Sequence, residues 1–432
     1  MNGHPTFAIA MRNRPAILRL FLAHAVSSFA QGISMMAIPW YFASVLGEAQ
    51  LFARIVAVAT FVSLLWSLVA GSFIDRYPRR SVFLAINSVG FIALCGMALY
   101  GHRMGEVPPW GIAAVFVFTF FLYNIHYPAL YAFTQEMTES RDFGRVNSTI
   151  EVLGQSTSVL SGAIGAMLIA GLSDGHVNML GADLHLPFRF EAWHMYEIFL
   201  LDGVTYGISL IILYTLRFET VHALEIDLEP IGQRIRNGFK YLWSRPRVLL
   251  FGTMSYMVFV VLMVEVLLLL AMYVNGHLQA KADVYASSEV YYSLGALCAG
   301  LGVRQLMRGV GPVRGVVLLM LAVGGLFITA GLTKSIWFFF LFSLLIGFGN
   351  AGVRVLRVTW LFNHIPNNII GRCTSIFHMF NITCRGTLLA VFSLTWFATA
   401  GHVRWAYVIC GGFVLVAMIP ILAYLRELEE MG

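Results

Sequence analysis

The sequence predicts an all-α polytopic membrane protein with twelve transmembrane helices in two six-helix bundles, and three observations predict it. The 432 residues are 59% hydrophobic and only 12% charged, with a mean hydropathy of +0.77, whereas a soluble domain carries about 25% charged residues. The apolar residues fall in long runs, and a hydrocarbon core of about 30 Å takes about 20 apolar residues per helix. The charged residues gather between the runs, mostly on one side of them. So apolar a chain has too little polar surface to cover itself in water, and in lipid only helices or closed barrels satisfy the backbone.

In order, the spans read 17 to 46, 53 to 74, 81 to 101, 110 to 135, 146 to 171, 196 to 217, 248 to 275, 286 to 306, 312 to 333, 335 to 362, 371 to 397 and 404 to 425. The first is too long for the apolar region of a cleaved signal and lacks a small-residue cleavage site, so it is read as a span. An even number of spans puts both termini on one face. Of the 28 Lys and Arg, the opposite face would hold only Arg54, Arg103, Arg189, Lys281, Lys334 and Arg404. Arg354, Arg357 and Arg385 fall inside helices, and the remainder lie on the face of the termini. The excess of positive charge on cytoplasmic loops therefore predicts cytoplasmic termini.

The domains expected are a first bundle over 1–217, a cytoplasmic linker over 218–247 and a second bundle over 248–432. Within the linker, Ile231, Ile235, Phe239 and Leu242 repeat at helical spacing beside Arg234, Arg236, Lys240 and Arg245. That pattern predicts an amphipathic helix, either a structural linker, the preferred reading, or one lying on an anionic membrane surface. Segment 172–195 holds Asp174, His176, Asp183, His185, Glu191 and His194, but no metal-ligand spacing recurs, so a solvated loop is expected. Cys95, Cys298, Cys373, Cys384 and Cys410 are odd in number and form no CxxC pair, against a disulfide framework or a zinc site. No HExxH, GxSxG or phosphate-cradling loop is present, so no enzyme, cofactor or metal is expected. A receptor or scaffold would more naturally carry a large soluble domain.

Polar groups inside the spans are costly and mark function. They are His24 and Gln31 in the first span, Tyr123, Asn124 and His126 in the fourth, Gln155 in the fifth and Glu265 in the seventh. Arg354 and Arg357 follow in the tenth, and His378, Asn381 and Arg385 in the eleventh. Arg354 and Arg357, three apart, share a helix face and can present two guanidinium forks to one anion, with Arg385 joining them; the alternative is snorkelling to the interface. Glu265 is the candidate proton or counter-ion site, or else the partner of one of those arginines. His126 can be a second protonatable group or a packing histidine. Glu151 near the inner end of the fifth span and Asp202 near the outer end of the sixth can each be water-exposed and uninvolved. Gly154, Ser158, Gly162 and Ala166 form a small-residue packing stripe.

The loop after the second span reads GSFIDRYPRR, and here the chain resembles the major facilitator superfamily. Gly71, Asp75, Arg76, Arg79 and Arg80 match that family's signature, with Pro78 where glycine is usual. Gly71 permits close helix approach, Asp75 can accept from a helix N-terminus, and the arginines can bridge to Glu136, Glu139 or Asp142, the parts of a cytoplasmic gate. RVNS at Arg145, FLLDGVTY in the sixth span, GFKYLWSRP before the seventh and IIGRC at Ile369 extend the resemblance over nearly the whole chain, toward the drug and siderophore exporter branch. Two places depart from it. The fifth span lacks the Gly-Pro pair usual in antiporters, and GLGVRQLMRG, from Gly300 to Gly309, lacks the aspartate of a second gate.

The resemblance implies pseudo-symmetric bundles, rocker-switch alternating access, and a cavity lined mainly by spans one, four, seven and ten. The expected substrate-binding residues are Gln31, Tyr123, Asn124, His126, Arg354, Arg357, Asn381 and Arg385, with Glu265 and His126 for proton coupling. The expected function is proton-coupled export of a small organic anion, siderophore-like or an amphipathic metabolite. The alternatives are multidrug efflux and import of a ferric siderophore. The expected partners are that small molecule, the lipid bilayer and protons, with no nucleic acid, for a monomer in a bacterial inner membrane.

Overall fold

The computed structural model describes residues 13–139, 142–171, 176–179, 182–185, 191–221, 231–307, 309–399 and 401–430. The first half is built of α1 (Arg14–Val45), α2 (Ala49–Arg76), α3 (Arg79–Met104), α4 (Pro109–Met137), α5 (Phe143–Ala170) and α6 (Met195–Tyr214). A linker helix, α7 (Ile231–Trp243), leads to α8 (Pro246–His277), α9 (Ala282–Leu306), α10 (Pro312–Leu332), α11 (Ile336–His364) and α12 (Asn367–Phe392). The short α13 (Thr395–Ala398), then α14 (Val403–Ala423) and α15 (Leu425–Glu430), complete the described chain. This is the expected all-α architecture, with α1–α6, α8–α12 and α14 as the twelve spans.

Local chemistry explains the ends. Proline opens α4, α8 and α10, where its missing N–H has no partner to lose. Gly105, at φ 84°, ends α3 in the left-handed conformation that glycine adopts without strain. Within segment 172–195, strands β1 (His176–Met179) and β2 (Ala182–His185) form an antiparallel hairpin with His176 opposite His185. The alternation that would have announced it is too short to read in sequence.

Among the described residues, eleven helices are long and apolar enough to cross a membrane, and α9 is not in that set. It carries Asp283 and Glu289, yet it is packed between α5 and α11 rather than against lipid alone. The α9–α11 contact runs backbone to backbone. A Cβ added at Gly295 would collide with the Leu344 carbonyl oxygen, and one at Gly347 with that of Tyr292. Small residues let helices meet this closely without a side chain between them.

One apolar core runs through the second half and continues into α1, α2 and α4, joining Val261 and Tyr273 to Phe42, Phe52 and Phe116. A separate core around Leu20, Phe83 and Phe133 serves only the first half, toward the face of the termini. The two halves are thus fused at the face far from the termini. There the Trp40 ring stacks on Tyr285 with centroids 5.2 Å apart. The Tyr285 hydroxyl donates to the Met36 carbonyl at 3.3 Å, and Asn275 Nδ2 donates to the Ala43 carbonyl at 2.8 Å.

The linker helix α7 is docked. Gly238 sits against the Arg372 carbonyl of α12, and Leu242 is buried, while Phe239 and Trp243 stack on each other at the exposed face. These contacts favour the structural-linker reading.

Candidate solute-binding site between the halves

Tyr123, Tyr127 and Tyr131 recur every four residues on α4 and so share one face. The Tyr123 and Tyr127 rings lie 4.8 Å apart. The Tyr131 hydroxyl donates to Glu151 Oε1 of α5 at 2.7 Å, and Arg354 Nη2 of α11 donates to Glu151 Oε2 at 2.8 Å. This ion pair joins the two halves. Tyr123 is 45% exposed, although Glu151, Glu289, Arg354 and Arg385 from both halves lie in electrostatic reach of it. Its free surface therefore faces a space between the halves.

On the opposite wall, His378, Asn381 and Arg385 fall on one side of α12. Arg385 is 6% exposed, and its Nε has no acceptor. Among the described residues its guanidinium forms neither a hydrogen bond nor an ion pair. Asn381 is fully buried with both amide atoms unpartnered. A buried unmet polar group costs about 1–3 kcal/mol, and an ionised one more, so this pair favours a partner that no described residue supplies.

Several expectations need correction. Arg354 and Arg357 do not present paired forks. Arg357 is buried in the second half, where its Nη1 donates to the Ser255 carbonyl at 3.2 Å and its guanidinium lies 3.5 Å from the centroid of the Tyr256 ring. The aromatic face satisfies it there. Glu151 is no bystander, since it bridges to Arg354. Asp202 is not water-exposed but fully buried, within reach of Ser34 and Cys95, and among the described residues neither carboxylate oxygen has a hydrogen bond of good geometry.

The remaining residues divide. Gln31 Nε2 is buried and unpartnered, while Asn124 donates to the Phe120 carbonyl of its own helix at 2.8 Å. His126 turns into the first half, its Nε2 2.9 Å from His24 Nδ1 and its ring edge on Phe83. Glu265 is buried on a π-helical turn of α8 and accepts from the Tyr407 hydroxyl at 3.2 Å, with no arginine paired to it among the described residues. Glu289 of α9, which sequence reasoning missed, lies in electrostatic reach of Glu265 and of the Ser158 hydroxyl of α5. Tyr127 and Tyr131 were missed too, though the four-residue tyrosine spacing was visible in YNIHYPALY. Within the small-residue stripe, Gly162 packs closely against the Ala286 carbonyl of α9, while the Ala166 side chain lies outside the described residues.

At the gate motif, the side chains of Gly71, Asp75 and Arg76 lie outside the described residues. Arg80 Nη2 donates to the Tyr214 carbonyl at 2.7 Å, and Arg19 Nη1 to the Thr215 carbonyl at 3.2 Å. Both cap the C-terminus of α6, where cations are favoured. Arg79 is buried near Glu136. No group of three or more potential metal ligands occurs among the described residues.

Two helical halves with charged groups collected between them define a transporter fold. Residues 20–383 match the Major Facilitator Superfamily, and the chain belongs to it. No curated protein matches. Among solved structures, the chain is similar to the nucleoside transporter NupG, with a TM-score of 0.67 at 12% identity, covering 95% of this chain and 99% of that one. It is also similar to a bacterial homologue of the iron transporter ferroportin in its inward-facing state (0.67, 14%, 94% and 98%). A third is a D-xylose-proton symporter (0.66, 13%, 94% and 97%).

Proposed function

We propose that this protein is a secondary active transporter that carries a small organic anion across the membrane by alternating access, with Arg385 as the anchor for the anionic group. The observation that carries the reading is the buried Arg385 guanidinium, whose Nε has no acceptor and which has no counter-ion among the described residues, beside the Asn381 amide that is likewise unpartnered among them. A carboxylate supplies a guanidinium with two charge-assisted bonds, and Asn381 can both donate to and accept from the same solute. Tyr123 and Tyr127 offer an aromatic wall for its body, and Gln31 a further free donor. A carboxylate siderophore or an amphipathic metabolite fits this chemistry.

With the termini in the cytoplasm of a bacterial inner membrane, the fused far face is the outer one and the space between the halves opens inward. Export coupled to proton entry is the accompanying reading, with Glu265 as the carrier, because its one described hydrogen-bond partner is a neutral tyrosine hydroxyl. The test is untargeted metabolite analysis inside and outside a deletion strain, restored with wild type or Arg385→Ala matched for membrane abundance. An organic acid that builds up in the deletion strain, and is cleared by wild type but not by Arg385→Ala, is the expected result. Equal rescue by both forms overturns the anion site, and depletion inside the deletion strain overturns export.

A further inference from the structure

We propose that Glu151 is a built-in competitor for the solute: in the empty protein it occupies Arg354, and the arriving anion takes Arg354 over, so that binding and unlinking of the halves are one event. The inference rests on the anion-transport reading above. Glu151 belongs to the first half and Arg354 to the second, and their side chains are each 43% exposed while bridged at 2.8 Å. An ion pair this exposed is worth about 0–1 kcal/mol, so exchange of one carboxylate for another at Arg354 is nearly balanced. A deeply buried pair could not be exchanged in this way.

The surroundings fit the exchange. Tyr131 holds the other Glu151 oxygen at 2.7 Å, so Glu151 keeps a donor when Arg354 leaves it. Arg357 lies in electrostatic reach of Arg354, yet it is held on Ser255 and Tyr256. It therefore adds positive potential without competing for the solute. Arg385 stands eighteen residues from the terminal-face end of α12 (Asn367–Phe392), and Arg354 ten from that of α11 (Ile336–His364). At 1.5 Å per residue the two arginines differ in depth by about 12 Å. Tyr123 to Tyr131 spans about the same distance on α4. An anion entering from the terminal face thus meets Arg354 before it reaches Arg385.

Two measurements on the full chain in nanodiscs test this. Benzoate is the probe, with uncharged benzamide as its control, and thermal shift against concentration gives the apparent Kd. Glu151→Gln is expected to bind benzoate up to about 5-fold more tightly than wild type, the loss of a competitor worth up to about 1 kcal/mol. Spin labels at Ser148 and Phe362 are expected to move apart in ligand-free Glu151→Gln and in wild type with benzoate. The charge-swapped pair, Glu151→Arg with Arg354→Glu, restores the ligand-free wild-type separation and controls for misfolding. Equal or weaker binding by Glu151→Gln, with binding still lost in Arg385→Ala, overturns the competitor and leaves the anion reading standing. A swapped pair that fails to restore the separation also overturns it. Binding of benzamide in place of benzoate overturns the anion reading and the competitor together.

Discussion

The halves meet along two seams of opposite chemistry. At the far face the contact is a ring stack of Trp40 on Tyr285 and two neutral donors, Tyr285 and Asn275, aimed at backbone carbonyls. Nearer mid-depth, along α5, it is the Glu151–Arg354 pair, then Ser158 beside Glu289, then Gly162 on the Ala286 carbonyl. The first seam holds by burying aromatic surface and needs no ion. The second holds by one interhelical ion pair and by close small-residue packing. Under the proposed alternating access, the apolar seam is the one to stay shut while the charged seam responds to the solute.

The contrast can be broken most sharply at Trp40, which is almost fully buried. Trp40→Ala is expected to cost the closed far face about 3–5 kcal/mol, separating spin labels placed at Glu48 and Thr399. An unchanged separation would mean that the stack does not hold the face shut. A smaller effect is expected from Tyr285→Phe, which keeps the stack and loses one hydrogen bond. About 1 kcal/mol should appear as a minor open population in the same label pair. The smallest effect sharpens the comparison from the other side. Raising salt from about 0.05 M to about 0.5 M should weaken the exposed Glu151–Arg354 pair by at most about 1 kcal/mol, read at Ser148 and Phe362, while the far-face labels stay still. Equal salt response at both faces would erase the distinction.

Apolar run length made eleven of the spans legible, because the bilayer fixes helix length so tightly, while α9 is less apolar than the rest. The eleventh ran differently at its ends. Pro366 caps α12 at Asn367, ahead of the expected 371, and the helix stops at Phe392 before a separate short helix. The two π turns of α8, Glu265–Leu269 and Tyr273–His277, left no mark in a uniformly apolar run. At the site, Arg354 and Arg385 stood out because charge in lipid is rare. Their different situations did not, since Glu151 lies 203 positions away from Arg354 in the chain. Depth misled at Asp202. Its nearness to a span end suggested water, but α1 and α3 cover it. Glu289 escaped notice in the least apolar span, where one more carboxylate looked ordinary.

The glycine contact between α9 and α11 makes those two helices a single carriage. With backbone on backbone at Gly295 and Gly347, and Asn350 Nδ2 donating to the Tyr292 hydroxyl at 2.9 Å, neither helix can slide along the other. Arg354 and Glu289 ride on it together, so their spacing is set once, at folding. In the alternating access proposed above, the distances that change are those to Glu151 and Ser158, so α5 is the rail against which each cycle is gauged.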